Sequence, residues 1–220
     1  MTYSATLVGD GSSDALLKPL LEWLLAQHLP TGAAVPIAVP EWGRLPIAVP
    51  TLPARLLAAR TFFPADVYFV HRDTEKDGTW QGRCHEIAAA AAQVFAGQLP
   101  HLVRVVPVRM TETWLLHNEA AIRAAAENPN GQRPLALPHP ARLEALPEAK
   151  THLLHLLRQA SELTGRRLRR FEAHERHRLY RLADLQQETG FAVLRQLPSF
   201  RALEQEIIGL VAALATPTNP

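Results

Sequence analysis

The chain has 220 residues, of which 47% are hydrophobic and 20% are charged, and its formal net charge is +2. This length is enough for one hydrophobic core, while the single cysteine excludes a disulfide framework and a multi-cysteine zinc site. The polar first residues do not form a signal peptide, and no apolar run reaches the roughly 18 residues that span a bilayer. We therefore expect a soluble, cytoplasmic protein with no membrane partner.

The first half of the chain predicts strands that alternate with helices. A short apolar run predicts a strand at 4–8, leucines at helical spacing predict a helix over 14–28, and the run DVYFVH predicts a strand over 66–71. Residues 30–64 contain seven prolines, so extended edge or loop structure with a short helix near 53–62 is expected there. The other elements expected in this half are a helix at 83–96, a strand at 102–108 and a helix from Thr111 to about Glu127.

The second half predicts helices only. A loop rich in proline and asparagine covers 128–142, and helices follow at about 147–163, 171–188 and 199–214. This pattern favours an α/β fold with a mostly parallel sheet, flanking helices and an α-helical C-terminal part. The predicted organisation is an α/β domain at 1–127 and a helical C-terminal extension at 128–220 that packs on it.

Two short acidic loops are the most informative feature of the sequence. Four of the six aspartates lie in them: Asp10 and Asp14 after the first predicted strand, and Asp73 and Asp77 after the second. Ligands of parallel α/β sheets bind outside the carboxyl ends of the strands, so these aspartates and Glu75 converge if the two strands are parallel neighbours. Hard oxygen donors of this kind suit Mg²⁺ or Mn²⁺.

The alternative interpretation of each loop is structural. Asp10 and Asp14 fit a turn and a helix cap, and residues 73–77 fit a solvated loop. Because both loops follow strands, we favour a metal site with Asp10, Asp14, Asp73, Glu75 and Asp77 as candidate ligands. Glu112, just after the third predicted strand, is either a further catalytic group or an acid in the first turn of a helix.

The two loops resemble the motifs of the Toprim domain. Asp10-Gly11-Ser12-Ser13-Asp14 is similar to its first acidic element, and Asp73-Thr74-Glu75 is similar to its Asp-x-Asp element. One Toprim-like family, the domain of unknown function 4276, resembles the chain further. Those matches are Arg109-Met-Thr-Glu112-Thr-Trp114-Leu-Leu, Pro147-Glu-Ala-Lys150 and Leu197-Pro-Ser199-Phe200-Arg201.

The resemblance implies a metal-dependent nuclease related to OLD-type nucleases, with an ABC-type ATPase partner in antiphage defence. Carried over by position, the resemblance implies that Asp10, Asp73 and Glu75 hold Mg²⁺ or Mn²⁺. Glu112 joins them in the candidate catalytic set because of its place after the third predicted strand. Asp10 is one methylene shorter than the glutamate of the motif and Glu75 is one longer than its aspartate. This swap keeps open a non-catalytic Toprim-like binding or sensor subunit of an ATPase complex.

Basic residues supply candidate contacts to DNA or RNA. Arg72, Lys76 and Arg109 flank the acidic loops, and Lys150 belongs to one of the family-like elements. The segment from Arg166 to Arg181 carries seven arginines and two glutamates, which suits phosphate contacts. Its predicted phosphate-binding members are Arg166, Arg167, Arg169 and Arg170. The alternative is a solvated helix in which Glu172 pairs with Arg176 and Glu175 with Arg178.

A third function is phosphoryl transfer through an aspartyl intermediate. Asp73 follows an apolar strand, as the nucleophile does in haloacid-dehalogenase-type enzymes. Those enzymes carry Asp-x-Asp-x-Thr at this point, whereas this chain has Glu75 in the third position and its threonine displaced to Thr79. The departure favours the nuclease interpretation.

Overall fold

A parallel sheet forms the centre of the computed structural model, which describes residues 3–74, 78–97 and 100–215. Its strands are β1 (Ala5–Val8), β2 (Ile37–Ala38), β3 (Val67–His71) and β4 (His101–Val105), in the order β2-β1-β3-β4. All three pairings are parallel. The predicted α/β class, with flanking helices and a helical C-terminal part, is confirmed.

Helices follow the strands and then make up the rest of the chain. They are α1 (Lys18–His28), α2 (Leu52–Phe62), α3 (Trp80–Phe95), α4 (Glu119–Ala125), α5 (Ala149–Ser161), α6 (Gly165–Glu172), α7 (Glu175–Thr189) and α8 (Pro198–Ala215). Side-chain caps start several of them: the Thr51, Thr79 and Asn118 side chains accept hydrogen bonds from the N–H groups of Ala54, Gly82 and Ala121. Such caps satisfy backbone donors that a helix leaves free at its N-terminus.

The two faces of the sheet are covered unequally. Alternation along the strands turns Leu7 and Phe69 to one face, where they join a core with α1, α5, α7 and α8. Val8 and Val70 turn to the other face, where α2 and α3 cover them. The C-terminal helices therefore share one hydrophobic core with the strands of the first half.

The order of the strands creates a crevice at one edge. From β1 the chain moves to β2 on one side, then returns past β1 to β3 and β4 on the other. Connections of parallel strands that reverse direction in this way open a crevice at the carboxyl ends of the two strands where the order switches. Here these strands are β1 and β3, so the residues that follow Val8 and His71 meet at the switch point.

Several element boundaries differ from the prediction. Residues Ser12–Leu17 form a 3-10 helix before α1, and Thr111–Leu115 form another in place of the start of one long helix. The strand predicted to continue through Pro107 ends at Val105, since proline has no N–H for the sheet. The predicted edge structure within 30–64 is confirmed by β2 and α2.

The Arg-rich segment also differs in detail. It is two helices, α6 and α7, that meet at Ala173 and His174. The pairing expected under the alternative, a solvated helix, is wrong, because Glu172 and Glu175 both contact Arg158 on α5, at 3.2 and 2.6 Å. Tertiary packing of α5 against α6 brings Arg158 closer to these acids than their neighbours in sequence.

Within the described ranges, no helix has both the length and the apolar character that crossing a membrane requires.

Candidate functional site

The turn after β1 is held by its own side chains. The Asp14 carboxylate accepts hydrogen bonds from the backbone N–H groups of Asp10, at 2.5 Å, and Gly11, at 3.0 Å. The Trp42 indole Nε1 donates to the carbonyl of Gly9 at 3.0 Å. A Cβ on Gly9 would lie 2.2 Å from Asp14 Oδ2, so the turn closes only with glycine there. These contacts fix the position from which the Asp10 side chain extends.

Two arginines from different elements hold Asp10. Arg55 on α2 contacts one carboxylate oxygen at 2.5 Å, and Arg72, directly after β3, contacts the other. Arg72 also pairs with Glu86 on α3 at 3.0 Å. The Asp10 side chain is still 38% exposed, so it combines strong ion pairing with access from solvent.

His71 links the two acidic loops beneath this surface. Its imidazole is buried at the end of β3, with Nδ1 3.3 Å from Asp14 Oδ2 and Nε2 3.1 Å from Asp73 Oδ1. Thr111 Oγ1 lies 3.2 Å from the same Nε2. One buried ring therefore joins the loop after β1, the loop after β3 and the 3-10 helix after β4.

The protonation of this cluster follows from its charges. Burial on its own lowers the pKa of His71, but the contacts and negative charges of Asp14 and Asp73 outweigh it and raise the pKa to about 9. For Asp14 the directions are reversed: burial on its own raises the pKa of the carboxyl. The contact and charge of His71, with the N–H groups of Gly11 and Asp10, outweigh burial and hold this pKa below its usual value. At neutral pH the ring is therefore an imidazolium between carboxylates.

Glu112 and Lys150 approach the same edge from the second half of the chain. Glu112 is buried in the 3-10 helix that contains Thr111, and Lys150 Nζ lies 3.4 Å from its Oε1. Arg109, just before it, has the left-handed φ of 69° and donates its N–H to Thr74 Oγ1 at 2.5 Å. A non-glycine residue in this region is strained, and here the hydrogen bond to the Asp73–Thr74 loop holds it.

The remaining predicted site residues either lie outside the described residues or are exposed on α6. Glu75, Lys76 and Asp77 lie outside the described residues. Arg166, Arg167, Arg169 and Arg170 are exposed on α6, beside Phe171, whose ring lies under the guanidinium of Arg178 at 3.8 Å. α7, the next helix, brings its own basic residue, Arg176, to a cavity beside Asp10.

Sequence reasoning missed Arg55, one of the two arginines that hold Asp10. Arg55 lies in the proline-rich region, 45 positions from Asp10, and no local pattern marks it. His71 directly precedes the second acidic loop in the sequence. Its contact with Asp14 depends on β1 and β3 being neighbours, which the sequence alone does not decide.

The chemistry of the donors fits a divalent ion only in part. Asp10 and Asp73 are accessible hard-oxygen groups, whereas the Asp14 carboxylate is buried and already used by His71 and two backbone N–H groups. Across residues 3–74, 78–97 and 100–215, no three His, Cys, Asp or Glu side chains are grouped closely enough to hold a metal. An ion at Asp10 and Asp73 would replace Arg55, Arg72 and His71 as the balancing charge.

Comparison with known proteins adds no relative to this picture. No protein-family model matches the chain, and no curated protein or solved structure matches it. The residues at the switch point are therefore the basis on which a function can be proposed.

Proposed function

We propose that this protein hydrolyses phosphodiester bonds of DNA or RNA with a divalent ion, Mg²⁺ or Mn²⁺, at the carboxyl edge of the sheet. The observation that carries the proposal is that the loops after β1 and β3 meet at the switch point, where His71 contacts both Asp14 and Asp73 and Arg72 contacts Asp10. Glu112 adjoins Thr111, which contacts the same histidine. Carboxylates that follow neighbouring parallel strands at one edge of a sheet are typical of metal-assisted phosphoryl chemistry.

Each residue of the site has a role in this proposal that follows from its charge and its exposure. Asp10 and Asp73 would hold the ion, with Glu75 as the further ligand that the Toprim resemblance implies. The bound ion would polarise the phosphate and acidify water. Glu112 would accept the proton of the attacking water, whose oxygen would bond to phosphorus as the bond to the leaving oxygen breaks, and the leaving oxygen would take a proton from solvent. Arg72 and Arg55 would neutralise the phosphate once it competes with Asp10 for their guanidinium groups.

The test is cleavage of plasmid, single-stranded DNA and tRNA with Mg²⁺ or Mn²⁺. Asp73→Asn and Asp10→Asn should each lower the rate by about 100-fold or more, because each removes a negative oxygen ligand. Asp184→Asn is the matched control, since Asp184 is an exposed aspartate on α7. Undiminished cleavage by Asp73→Ala would show that the assignment is wrong.

The pairing of every described candidate acid favours a second function, binding without catalysis. Arg55 and Arg72 balance Asp10, His71 balances Asp14 and Asp73, and Lys150 balances Glu112. A protein of this kind would act as the Toprim-like sensor subunit of an ATPase complex. Titration calorimetry with Mn²⁺ distinguishes the hydrolase from the non-catalytic subunit. A heat of Mn²⁺ binding that Asp73→Asn abolishes supports the hydrolase, and no heat of binding to the unaltered protein supports the subunit.

An ABC-type ATPase partner in antiphage defence belongs to the same proposal and rests on the family resemblance. Its test is co-purification of the full chain from its native cells, followed by identification of bound proteins. Recovery of an ATPase together with metal-dependent cleavage supports a nuclease with a partner. Recovery of the ATPase without cleavage supports the sensor subunit.

A further inference from the structure

A cavity of about 750 Å³ opens directly beside Asp10. Its walls come from two distant parts of the chain: the segment between β2 and α2, with Trp42 and Arg44, and the start of α7, with Arg176 and Tyr180. Asp10 and Gly11 line it as well. Its volume lies in the range of small-molecule sites, roughly 300–1,000 Å³.

The aromatic groups of this cavity are held in place. Trp42 is partly buried, and its hydrogen bond to the Gly9 carbonyl ties the indole to the turn that carries Asp10. Tyr180 is also partly buried, and the guanidinium of Arg176 lies 5.9 Å from the centre of its ring. Ordered aromatic rings at an accessible cavity are suited to stacking on a planar group.

The charges of the cavity favour an anion. Arg176 is exposed, and its Nη2 donates a hydrogen bond to the Tyr180 hydroxyl at 3.4 Å. Arg44 pairs at the surface with Glu41, which also lines the cavity, and such exposed pairs are weak. Asp10, the other acid in the wall, is balanced by Arg55 and Arg72. A ligand here therefore meets positive charge next to aromatic rings.

The surface continues past this cavity. Arg176 and Tyr180 also line a second cavity of about 350 Å³, whose other wall includes Ser13 and Lys150. Lys150 contacts Glu112. Two adjacent cavities that share an arginine and a tyrosine make a path from Trp42 to Lys150, which runs beside the turn of residues 9–14.

We propose that this path binds single-stranded nucleic acid, with an unstacked base against Trp42 or Tyr180 and its phosphate at Arg176. A base within a duplex is already stacked on both faces, so the cavity selects a strand that is unpaired. This inference rests on the proposed function, because it names the substrate class of that site. It gives the strand a course that brings its backbone to Asp10.

The experiment measures binding without chemistry. Fluorescence anisotropy in EDTA, with labelled oligothymidylate, oligouridylate and a duplex of matched length, gives dissociation constants that do not depend on a metal. Binding of either single strand at least about tenfold tighter than the duplex is expected. The two single strands show whether the ribose or the deoxyribose form is preferred. Duplex binding as tight as single-strand binding would overturn the inference.

Variants then locate the site. Tyr180→Ala and Arg176→Ala should each weaken single-strand binding by about fivefold or more, while Tyr180→Phe, which keeps the ring, stays close to the unaltered protein. Trp42→Phe keeps a ring but loses the bond to Gly9. Arg201→Ala is the control, because it removes the same charge from an exposed position on α8. Equal weakening by Arg201→Ala and Arg176→Ala would contradict a localised site.

The failures of the two proposals are distinguishable. One outcome is tight single-strand binding that depends on Arg176 and Tyr180, with no cleavage in Mg²⁺ or Mn²⁺. It would support the binding path and refute the proposed hydrolase. The other outcome is cleavage that is lost in Asp73→Asn but unchanged in Arg176→Ala and Tyr180→Ala. It would support the hydrolase and refute the binding path.

Discussion

At the scale of single residues, His71 organises the site more than any of the predicted acids. It is buried, carries a proton and lies between two carboxylates that belong to different loops. An imidazolium there relieves the repulsion between Asp14 and Asp73, which would otherwise be close negative charges. The cluster is therefore stable without any ion, and the acids keep their positions through the protein's own cations.

This arrangement predicts a stability that depends on pH. The pKa of His71 in the folded protein is about 9, above the roughly 6.5 of an unfolded histidine. Its contribution is therefore fully present below about pH 6.5 and is lost as pH rises through about 9. Urea unfolding at steps from pH 6 to 10 should show a decline of up to about 3 kcal/mol.

His71→Gln should remove most of this pH dependence, because an amide does not titrate. His155→Gln, an exposed histidine on α5, is the control and should keep the decline. A profile for His71→Gln that matches the unaltered protein would show that another group titrates.

Substitution of the two glycines in the first loop should change the stability of the protein to different extents. A Cβ on Gly9 meets the Asp14 carboxylate, whereas a Cβ on Gly11 meets nothing within 4 Å. Gly9→Ala should therefore lower the free energy of unfolding by about 1–3 kcal/mol, the usual cost of overpacking, and displace Asp10. Gly11→Ala should change it by about 0.5 kcal/mol or less. Thermal unfolding of both variants checks this, and equal destabilisation would contradict the close approach at Gly9.

At the scale of elements, charged side chains of the helices contact the ends and the outer edge of the strands. α2 carries Arg55 to Asp10, and α8 carries Glu206 to the outer side of β4. There Glu206 accepts hydrogen bonds from the backbone N–H of Arg104 at 2.6 Å and from its Nε at 2.7 Å. Strands at the edge of a sheet invite pairing with other chains unless their free groups are covered, so α8 protects this edge.

Glu206→Ala should expose that edge. The loss of the acceptor leaves the Arg104 N–H and guanidinium without this partner, which costs about 1–3 kcal/mol and promotes self-association. Light scattering against concentration, together with urea unfolding, measures both effects. Glu188→Ala removes an exposed glutamate from α7 and should leave both unchanged, and a monomeric, stable Glu206→Ala protein would refute the protective role.

At the scale of the whole molecule, one core joins the sheet to the C-terminal helices. Trp114 and Phe200 are both fully buried and meet edge to face, with ring centres 5.7 Å apart. Leu7 and Phe69 of the sheet belong to the same core as residues of α5, α7 and α8. Helices of the second half therefore complete the cover of this face of the sheet, which α1 of the first half begins.

The fragment 1–127 should accordingly lack fixed packing when expressed alone. Its uncovered sheet face should bind a hydrophobic dye and give helical far-ultraviolet but little near-ultraviolet circular dichroism. Co-expression with 128–220 should restore the native near-ultraviolet signal. A fragment 1–127 that unfolds cooperatively and binds no dye would show that the first half folds independently.

The sequence by itself determined the α/β class and the position of both acidic loops, since these follow from local patterns: apolar runs, helical spacing of leucines, and turns rich in glycine and aspartate. Only the tertiary structure decided which charges meet. Arg55 and Arg72 reach Asp10 across 45 and 62 residues, and His71 reaches Asp14 because β3 lies beside β1. Such contacts depend on strand order, and strand order is set by how the whole chain buries its apolar faces rather than by any short motif.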